Sequence, residues 1–145
     1  MKADGLDHIH IAVKDLKRAV ALFSKLMDAK PSGVFESTEG NFRFQFVKLG
    51  PVVAQMMEPT SPDSLIAQFI ERRGEGLHSM SFKVINLDKA VADLQAAGFQ
   101  LLGRSDTGYI KQAHFNPKDT FGITVELCEY KGKAGSIKEL FEKSG

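Results

Sequence analysis

The sequence predicts an α+β fold in which two copies of one strand–helix–strand unit share a curved sheet, and three observations lead to this prediction. The 145 residues are 43% hydrophobic and 26% charged, as in globular proteins, so a disordered or fibrous chain is excluded. The chain matches itself when Gly5 is placed on Gly76. Strand-like and helix-like hydrophobic periods follow in the same order in each half. We expect a single domain over residues 1–145.

The repeat is clearest where residues 5–23 fall on residues 76–94. Seven of these 19 aligned positions are identical, whereas average residue usage gives roughly one match by chance. The same alignment, continued without a gap, places Gln55 on Glu126 near the end of each half. One constant offset therefore aligns both ends of the halves, and it predicts module one over about 5–59 and module two over about 76–130.

Module one begins with a strand at residues 8–13, which alternates in polarity and is rich in β-branched residues. Asp15 is suited to cap the following helix, whose apolar residues recur at helical spacing as far as Met27. Residues 42–46 alternate with a period of two, and residues 52–57 form another apolar run. These patterns predict a strand, a helix and at least two further strands.

Module two repeats this order, with strands predicted at residues 80–84, 111–115 and 123–128. Asn86 is suited to cap its helix, and Gly98 to end it.

Two further helices are predicted outside the repeat. A linking helix over about 61–74 has Pro62 at its first helical position. A C-terminal helix over about 136–143 begins with a capping box made by Ser136 and Glu139.

Polar side chains of both modules are expected to face a common pocket, because successive residues of a strand point to opposite faces. On the first strand, the histidines oppose the isoleucines. We expect the phenylalanines within residues 42–46 to pack against the helix of module one, with the intervening polar residues in the pocket. The predicted pocket residues are His8, His10, Arg43, Gln45, Gln55, Ser79, His114 and Glu126. Histidine, carboxylate and amide oxygen are ligands of divalent metals.

Several other residues receive a structural interpretation. A half-solvated antiparallel sheet shows the same alternation without any site. By parity, His78 lies away from the pocket as an edge residue. Cys128 is the only cysteine, which excludes an intrachain disulfide, and it is interpreted as a small buried hydrophobic residue.

Charge and hydropathy limit the partners. The net charge is +1 and the pI about 7.9, so neither nucleic acid nor an anionic membrane is an expected partner. The apolar runs are too short for a membrane span, and the N-terminus has no signal-like apolar stretch. We expect a cytoplasmic protein that binds a small molecule.

Three segments carry a family resemblance: LDHIHIAVKDLKRAV, QMMEPTSPDSLIAQFIERRGEGLHSMSFKV and NPKDTFGITVELCEY. They resemble the vicinal oxygen chelate superfamily of glyoxalase-like and dioxygenase-like proteins, and within it the methylmalonyl-CoA epimerase-like proteins. The resemblance covers about residues 5–130. It implies two βαβββ modules that form a U-shaped sheet around a divalent metal ion.

The resemblance also implies a ligand set. His8, Gln55 and Glu126 fall on metal-ligand positions of the epimerases, and cobalt, manganese, nickel, zinc and iron are the candidate ions. A fourth ligand, the second histidine of a Gly-Leu-His-His-type motif, is replaced by Ser79. His114 is one possible substitute, and His78 is another if a β-bulge re-aims it. The segments matching the family's loop and turn motifs differ at residues 106–110 and 116–118, which leaves thioester specificity open.

The leading hypothesis is a metal-dependent isomerase or lyase that abstracts the proton alpha to a carbonyl group, like the epimerases. Glu126 and His114 are the expected catalytic residues. His10, Arg43, Gln45 and Ser79 are the expected substrate-binding residues.

Two alternatives remain open. One is a non-catalytic small-molecule-binding protein of the same fold, in which Ser79 marks a lost metal site. The other is an iron-dependent dioxygenase that uses two histidines and Glu126. Because open sheet edges and apolar helix surfaces favour association, we expect a homodimer.

Overall fold

A computed structural model describes residues 2–132 and 135–138, which form one eight-stranded sheet and three α-helices. The strands are β1 (Gly5–Ala12), β2 (Phe35–Ser37), β3 (Phe42–Leu49), β4 (Val52–Pro59), β5 (Gly76–Lys83), β6 (Leu101–Asp106), β7 (Ile110–Phe115) and β8 (Thr124–Tyr130). The helices are α1 (Leu16–Met27), α2 (Leu65–Arg73) and α3 (Leu87–Ala96), and a short 3₁₀ turn covers Pro117–Asp119. The strand order is β2-β3-β4-β1-β5-β8-β7-β6. The predicted α+β architecture of two strand–helix–strand modules is confirmed.

The register of the sheet follows the sequence repeat. β1 pairs in parallel with β4, and His10 lies opposite Gln55. β5 pairs in parallel with β8, and Ser81 lies opposite Glu126. The repeat alignment places the second pair of residues on the first. β1 and β5 are antiparallel neighbours at the centre of the sheet, where His10 lies opposite Ser79.

Both module helices begin with the same arrangement of acceptors. The side chains of Asp15 and Asn86 each accept a hydrogen bond from the backbone N–H three residues later. The carboxylates of Glu58 and Glu129 each accept a bond from the first N–H of the helix, on α1 and α3 respectively. These bonds tie the start of each helix to the last strand of its own module.

The constant offset of the repeat does not extend to β3 and β7. Phe46 lies opposite Gln55, whereas His114 lies opposite Glu126, so His114 is the structural equivalent of Phe46. Only residues 50–51 connect β3 to β4, whereas residues 116–123 connect β7 to β8. The constant offset of the repeat, continued into these strands, predicts that Arg43 corresponds to His114. This prediction is wrong, because the two connections differ in length.

Each module helix covers a core on the outer face of the sheet. The core of module one contains Val13, Leu16, Val20, Val47, Ala54 and Met56. The core of module two contains Val84, Leu87, Ala90, Val91, Ala113, Phe115 and Leu127. A third cluster places α2 on the opposite face, where Ile66 and Ile70 pack with Ala12 and Met57. The linking helix therefore helps to form the inner face rather than the outer one.

Some element bounds differ from the predictions. α2 begins at Leu65 after the N-cap Ser64, whose side chain accepts from Ile66 N–H, so Pro62 lies in the preceding turn. β2 and β6 have no clear period in the sequence and were not individually predicted. Of the predicted C-terminal helix, only residues 136–138 lie within the described part, and the remainder, including Glu139, falls outside it. In the described ranges, none of the helices has the length and apolarity that a membrane crossing needs.

Candidate active site

A cavity of about 1030 Å³ opens on the inner face of the sheet, between the two modules. Six of the eight predicted pocket residues line it: His8, His10, Gln55, Ser79, His114 and Glu126. Arg43 and Gln45 are not among its lining residues. Concave cavities with a few convergent polar groups are the usual sites of small-molecule binding.

Arg43 and Gln45 lie on the outer side of β3, contrary to the prediction. The Nε atom of Arg43 is 3.6 Å from Oε1 of Glu58, and the Gln45 amide donates a hydrogen bond to the Ser32 carbonyl at 2.8 Å. The phenylalanines of β3 face the cavity instead. Val47 supplies the contact with α1 that was expected of these rings. Both faces of β3 are partly covered. Its alternating pattern therefore does not show which face meets the cavity and which meets α1.

The aromatic side of the cavity is formed by β2 and β3. The rings of Phe35 and Phe44 stack with centroids 5.4 Å apart, and Phe44 meets Phe46 edge-on at 5.6 Å. Phe42 adjoins Phe44 at 5.7 Å. This wall presents a continuous apolar surface to any ligand in the cavity.

The ring of His8 is held in place by the carboxylate of Asp7. Its Nδ1 is 2.7 Å from Oδ2 of Asp7, which also accepts a hydrogen bond from the Tyr130 hydroxyl. A register shift between Leu6 and His8 makes Asp7 the extra residue of a β-bulge, so Asp7 and His8 are both buried. With Nδ1 engaged, Nε2 lies on the side of the Glu126 carboxylate, 3.4 Å from Oε1.

The charge state of His8 follows from these contacts. Burial disfavours the charged ring, but the hydrogen bonds to Asp7 and Glu126 outweigh it and raise the pKa of His8 from 6.5 to about 9.

Glu126 is fully buried at the floor of the cavity. Its Oε1 accepts hydrogen bonds from the Ser81 hydroxyl at 2.7 Å and the Gln112 amide at 2.8 Å. Its Oε2 is 2.7 Å from Nε2 of His114. Burial alone raises the pKa of a carboxyl group, but the surrounding histidines hold the pKa of Glu126 well below its usual range. The carboxylate is therefore ionised.

His114 connects this carboxylate to the open cavity. Burial lowers the pKa of its ring, but the contact with Glu126 outweighs burial and raises the pKa above its ordinary value. The side chain remains 37% exposed, in contrast to the buried carboxylate beside it. His114 can therefore exchange a proton with the contents of the cavity.

Three residues offer a metal-binding arrangement. His8, His10 and Glu126 each present a ligand atom, and these atoms all lie within 4.8 Å of one another. The Nε2 atom of His10 is buried without a hydrogen-bond partner. Gln55 lies opposite His10 on β4 and lines the same cavity. Two imidazoles and one carboxylate, with Gln55 lining the same cavity, fit a first-row divalent ion.

His78 lies in the cavity wall, although parity predicted it to lie away from the pocket. His10 lies opposite Ser79 and Ile11 lies opposite Leu77, so His78 is the extra residue of a β-bulge. Its Nδ1 is 2.9 Å from the Ser79 hydroxyl oxygen, and its ring packs edge-on against Phe69 at 4.8 Å. Within the described residues, neither His78 nor His114 belongs to the three-residue cluster.

Four supporting residues were missed by the sequence reasoning. Asp7 and Tyr130 gave no signal, because their roles depend on a bulge and on a contact between the two ends of the chain. Ser81 is the repeat equivalent of His10, and Gln112 shares the parity of His114, so both had a detectable signal. Cys128 is buried as expected, and burial raises the pKa of its thiol to about 12.

The fold and the cavity define a class of paired-module proteins with a histidine–carboxylate centre at the floor of a central cavity. A sequence profile described as the glyoxalase/bleomycin resistance protein/dioxygenase superfamily matches residues 7–116. The chain belongs to this superfamily.

The relatives of this chain include methylmalonyl-CoA epimerases and an uncharacterised bacterial protein. Human mitochondrial methylmalonyl-CoA epimerase is 32% identical over 126 residues, which cover 84% of this chain and 72% of that protein. An uncharacterised protein of Bacillus subtilis strain 168 is 32% identical over 130 residues, which cover 88% of this chain and 93% of that protein.

Solved structures give the same likeness. Methylmalonyl-CoA epimerase from Mycobacterium tuberculosis superposes with a TM-score of 0.79 at 27% identity, covering 90% of each chain. A Streptomyces coelicolor methylmalonyl-CoA epimerase in complex with 2-nitronate-propionyl-CoA gives a TM-score of 0.80 at 26% identity, covering 90% of this chain and 97% of that one.

Proposed function

We propose that the protein is a metal-dependent isomerase or lyase that removes the proton alpha to a carbonyl group of a small substrate. The observation that carries this proposal is the 2.7 Å contact between His114 and the buried Glu126 carboxylate at the floor of the cavity. The likeness to methylmalonyl-CoA epimerases supports the same reaction class. Methylmalonyl-CoA is accordingly the first substrate to test.

His8, Gln55 and Glu126 are residues that would hold a divalent ion. Such an ion supplies Lewis-acid stabilisation of negative charge on a carbonyl oxygen. Asp7 keeps Nε2 of His8 directed at the site through its bond to Nδ1.

The proton is handled by Glu126 and His114. The Oε2 atom of the ionised Glu126 carboxylate accepts the alpha proton. Hydrogen bonds from Ser81 and Gln112 keep Oε1 in place. His114 is close enough to exchange a proton with Oε2 and is itself open to the cavity. A proton taken from the substrate therefore exchanges with solvent through the His114 ring.

The reaction is tested by hydrogen exchange. Methylmalonyl-CoA is incubated in D₂O with metal-free protein and with protein supplied with cobalt, manganese, nickel, zinc or iron, and deuterium at the alpha carbon is followed by NMR. We expect metal-dependent exchange that falls at least about 100-fold in Glu126→Gln. Glu129→Gln is the matched control, because Glu129 lies on the same strand and its carboxylate accepts from the backbone of α3. Equal exchange in wild type and Glu126→Gln contradicts the proposal.

A second candidate function is an iron-dependent dioxygenase. The observation that favours it is the cluster of two histidines and one carboxylate, a set that non-haem iron oxygenases use. Oxygen consumption by the iron-loaded protein with a catechol, without alpha-proton exchange on thioesters, would select this function. A protein that binds apolar ligands without metal and without turnover would instead indicate the non-catalytic alternative.

A further inference from the structure

The repeat marks four positions around the floor of the cavity. In the repeat alignment, His8 corresponds to Ser79 and Gln55 corresponds to Glu126. Three of these side chains carry good metal donors, but a serine hydroxyl is a poor ligand for first-row ions. The Ser79 hydroxyl is also engaged by Nδ1 of His78 at 2.9 Å. The symmetric set therefore lacks one donor, on β5.

His10 lies where it can supply that donor from the neighbouring strand. It is the direct cross-strand partner of Ser79 in the β1–β5 pairing. Side chains directly opposite each other in an antiparallel pair project to the same face, with Cβ atoms about 4.5–5.5 Å apart. The His10 ring therefore shares the space that a histidine at position 79 would use.

The ring of His10 is also placed like a ligand. It stacks on His8 with centroids 5.0 Å apart and planes inclined by 23°. Its Nε2 is buried without a hydrogen-bond partner. A buried polar atom of this kind costs free energy unless something binds it. Its ligand atom lies within 4.8 Å of those of His8 and Glu126.

We propose that His10 is a metal ligand and replaces, from β1, the donor that Ser79 cannot supply from β5. The metal is then held by His8, His10 and Glu126, with Gln55 beside them. Two imidazoles select a first-row transition ion over magnesium or calcium. This inference rests on the metal dependence of the proposed function, and it does not depend on which substrate is used.

The other two histidines of the cavity have different partners. Nε2 of His114 is 2.7 Å from Oε2 of Glu126, which places His114 as a neighbour of the carboxylate. Nδ1 of His78 is directed to Ser79, and its ring packs on Phe69 of α2.

Moving the imidazole by mutation from position 10 on β1 to position 79 on β5 tests the proposal without any substrate. Metal-free protein is titrated with Co²⁺, and stoichiometry, affinity and the visible absorption of the bound ion are measured. We expect one Co²⁺ per chain in wild type and a loss of affinity of at least about 100-fold in His10→Ala. The double variant His10→Ala/Ser79→His moves the imidazole across the strand pair and should restore most of the affinity. His78→Ala should bind Co²⁺ as wild type does.

Thermal unfolding of each metal-free variant shows whether it is folded, and His10→Gln provides a second, milder removal of the imidazole. Co²⁺ affinity unchanged in folded His10→Ala and His10→Gln, but lost in Glu126→Gln, overturns the assignment of His10. If the double variant is folded but does not regain Co²⁺ affinity, the proposal that His10 replaces a donor at position 79 is wrong. Tight Co²⁺ binding that needs His10, in a protein without alpha-proton exchange, supports this assignment and contradicts the proposed function alone.

Discussion

The two sides of the cavity occupy equivalent places in the repeat but have opposite chemistry. On β3 and β4 the equivalent positions hold Phe44, Phe46 and Gln55, and on β7 and β8 they hold Gln112, His114 and Glu126. Module two therefore supplies a charged, hydrogen-bonding wall, and module one supplies an aromatic wall. A symmetric backbone therefore carries an asymmetric site. In the proposed function, one side would handle the proton and the other would hold the apolar part of a ligand.

On the outer face of the sheet, the two modules have equivalent side-chain contacts, whereas in the cavity they do not. Arg43 pairs with Glu58 on module one, and Lys111 pairs with Glu129 at 3.4 Å on module two. The same two glutamates accept from the first N–H of their module helices. Anchoring a helix requires the same contacts in both modules, whereas the cavity is lined by different side chains in each module.

The largest effect is expected from replacing His114, in comparison with Phe46 at the equivalent position of the other wall. We expect His114→Gln to lower alpha-proton exchange by about 10²–10⁴-fold, because a positioned acid–base group is lost. Phe46→Leu, at the equivalent position of the other wall, should change the same rate by less than about tenfold. Both are measured by deuterium incorporation at saturating substrate. Similar losses of the exchange rate in the two variants would contradict a role in proton transfer for the module-two wall alone.

The aromatic wall should affect binding more than rate. Phe44→Ala removes a ring at the centre of the wall, and we expect affinity for a ligand with an apolar substituent to fall by about 10–100-fold. Phe44→Leu, which keeps much of the buried volume, should retain most of that affinity. Isothermal titration with a series of ligands of increasing apolar size measures the difference. A loss that is independent of ligand size would contradict a role of this wall in holding apolar groups.

The pH dependence of stability distinguishes the equivalent positions His8 and Ser79, of which only the first titrates. The pKa of His8 is about 9 in the folded protein, above its ordinary value of 6.5, so protonation stabilises the metal-free fold. This contribution is fully present below pH 6.5 and is lost as the pH rises towards 9. It is on the order of 3 kcal/mol. Urea unfolding of metal-free protein across this pH range measures it, and Asp7→Asn should flatten the profile.

The smallest effect is expected on the outer face. Arg43→Ala should lower the free energy of unfolding by less than about 1 kcal/mol, because the pair with Glu58 is partly exposed to solvent. Lys111→Ala should behave alike, since it interrupts the equivalent pair. Urea unfolding gives these values, and ligand affinity should be unchanged in both variants. A clear loss of affinity in Arg43→Ala alone would restore the original expectation that this residue contacts the substrate.

Much of the fold and part of the site followed from local pattern. The repeat, the helix caps and the parity of β1, β4 and β8 depend on residues close together in the chain, and these features placed His8, Gln55 and Glu126 on one face. Such patterns are legible because strands and helices impose fixed periods on their side chains.

Only the tertiary structure decided the orientation of β3, the altered offset that makes His114 equivalent to Phe46, and the two bulges that place Asp7 and His78. It also decided that His10 stands beside His8 and Glu126. Each of these features depends on how a strand pairs with a neighbour distant in the chain, and a slip of a single position in register exchanges the two faces. A periodic pattern shows that a strand has two faces, but contacts between distant strands determine which face meets the cavity.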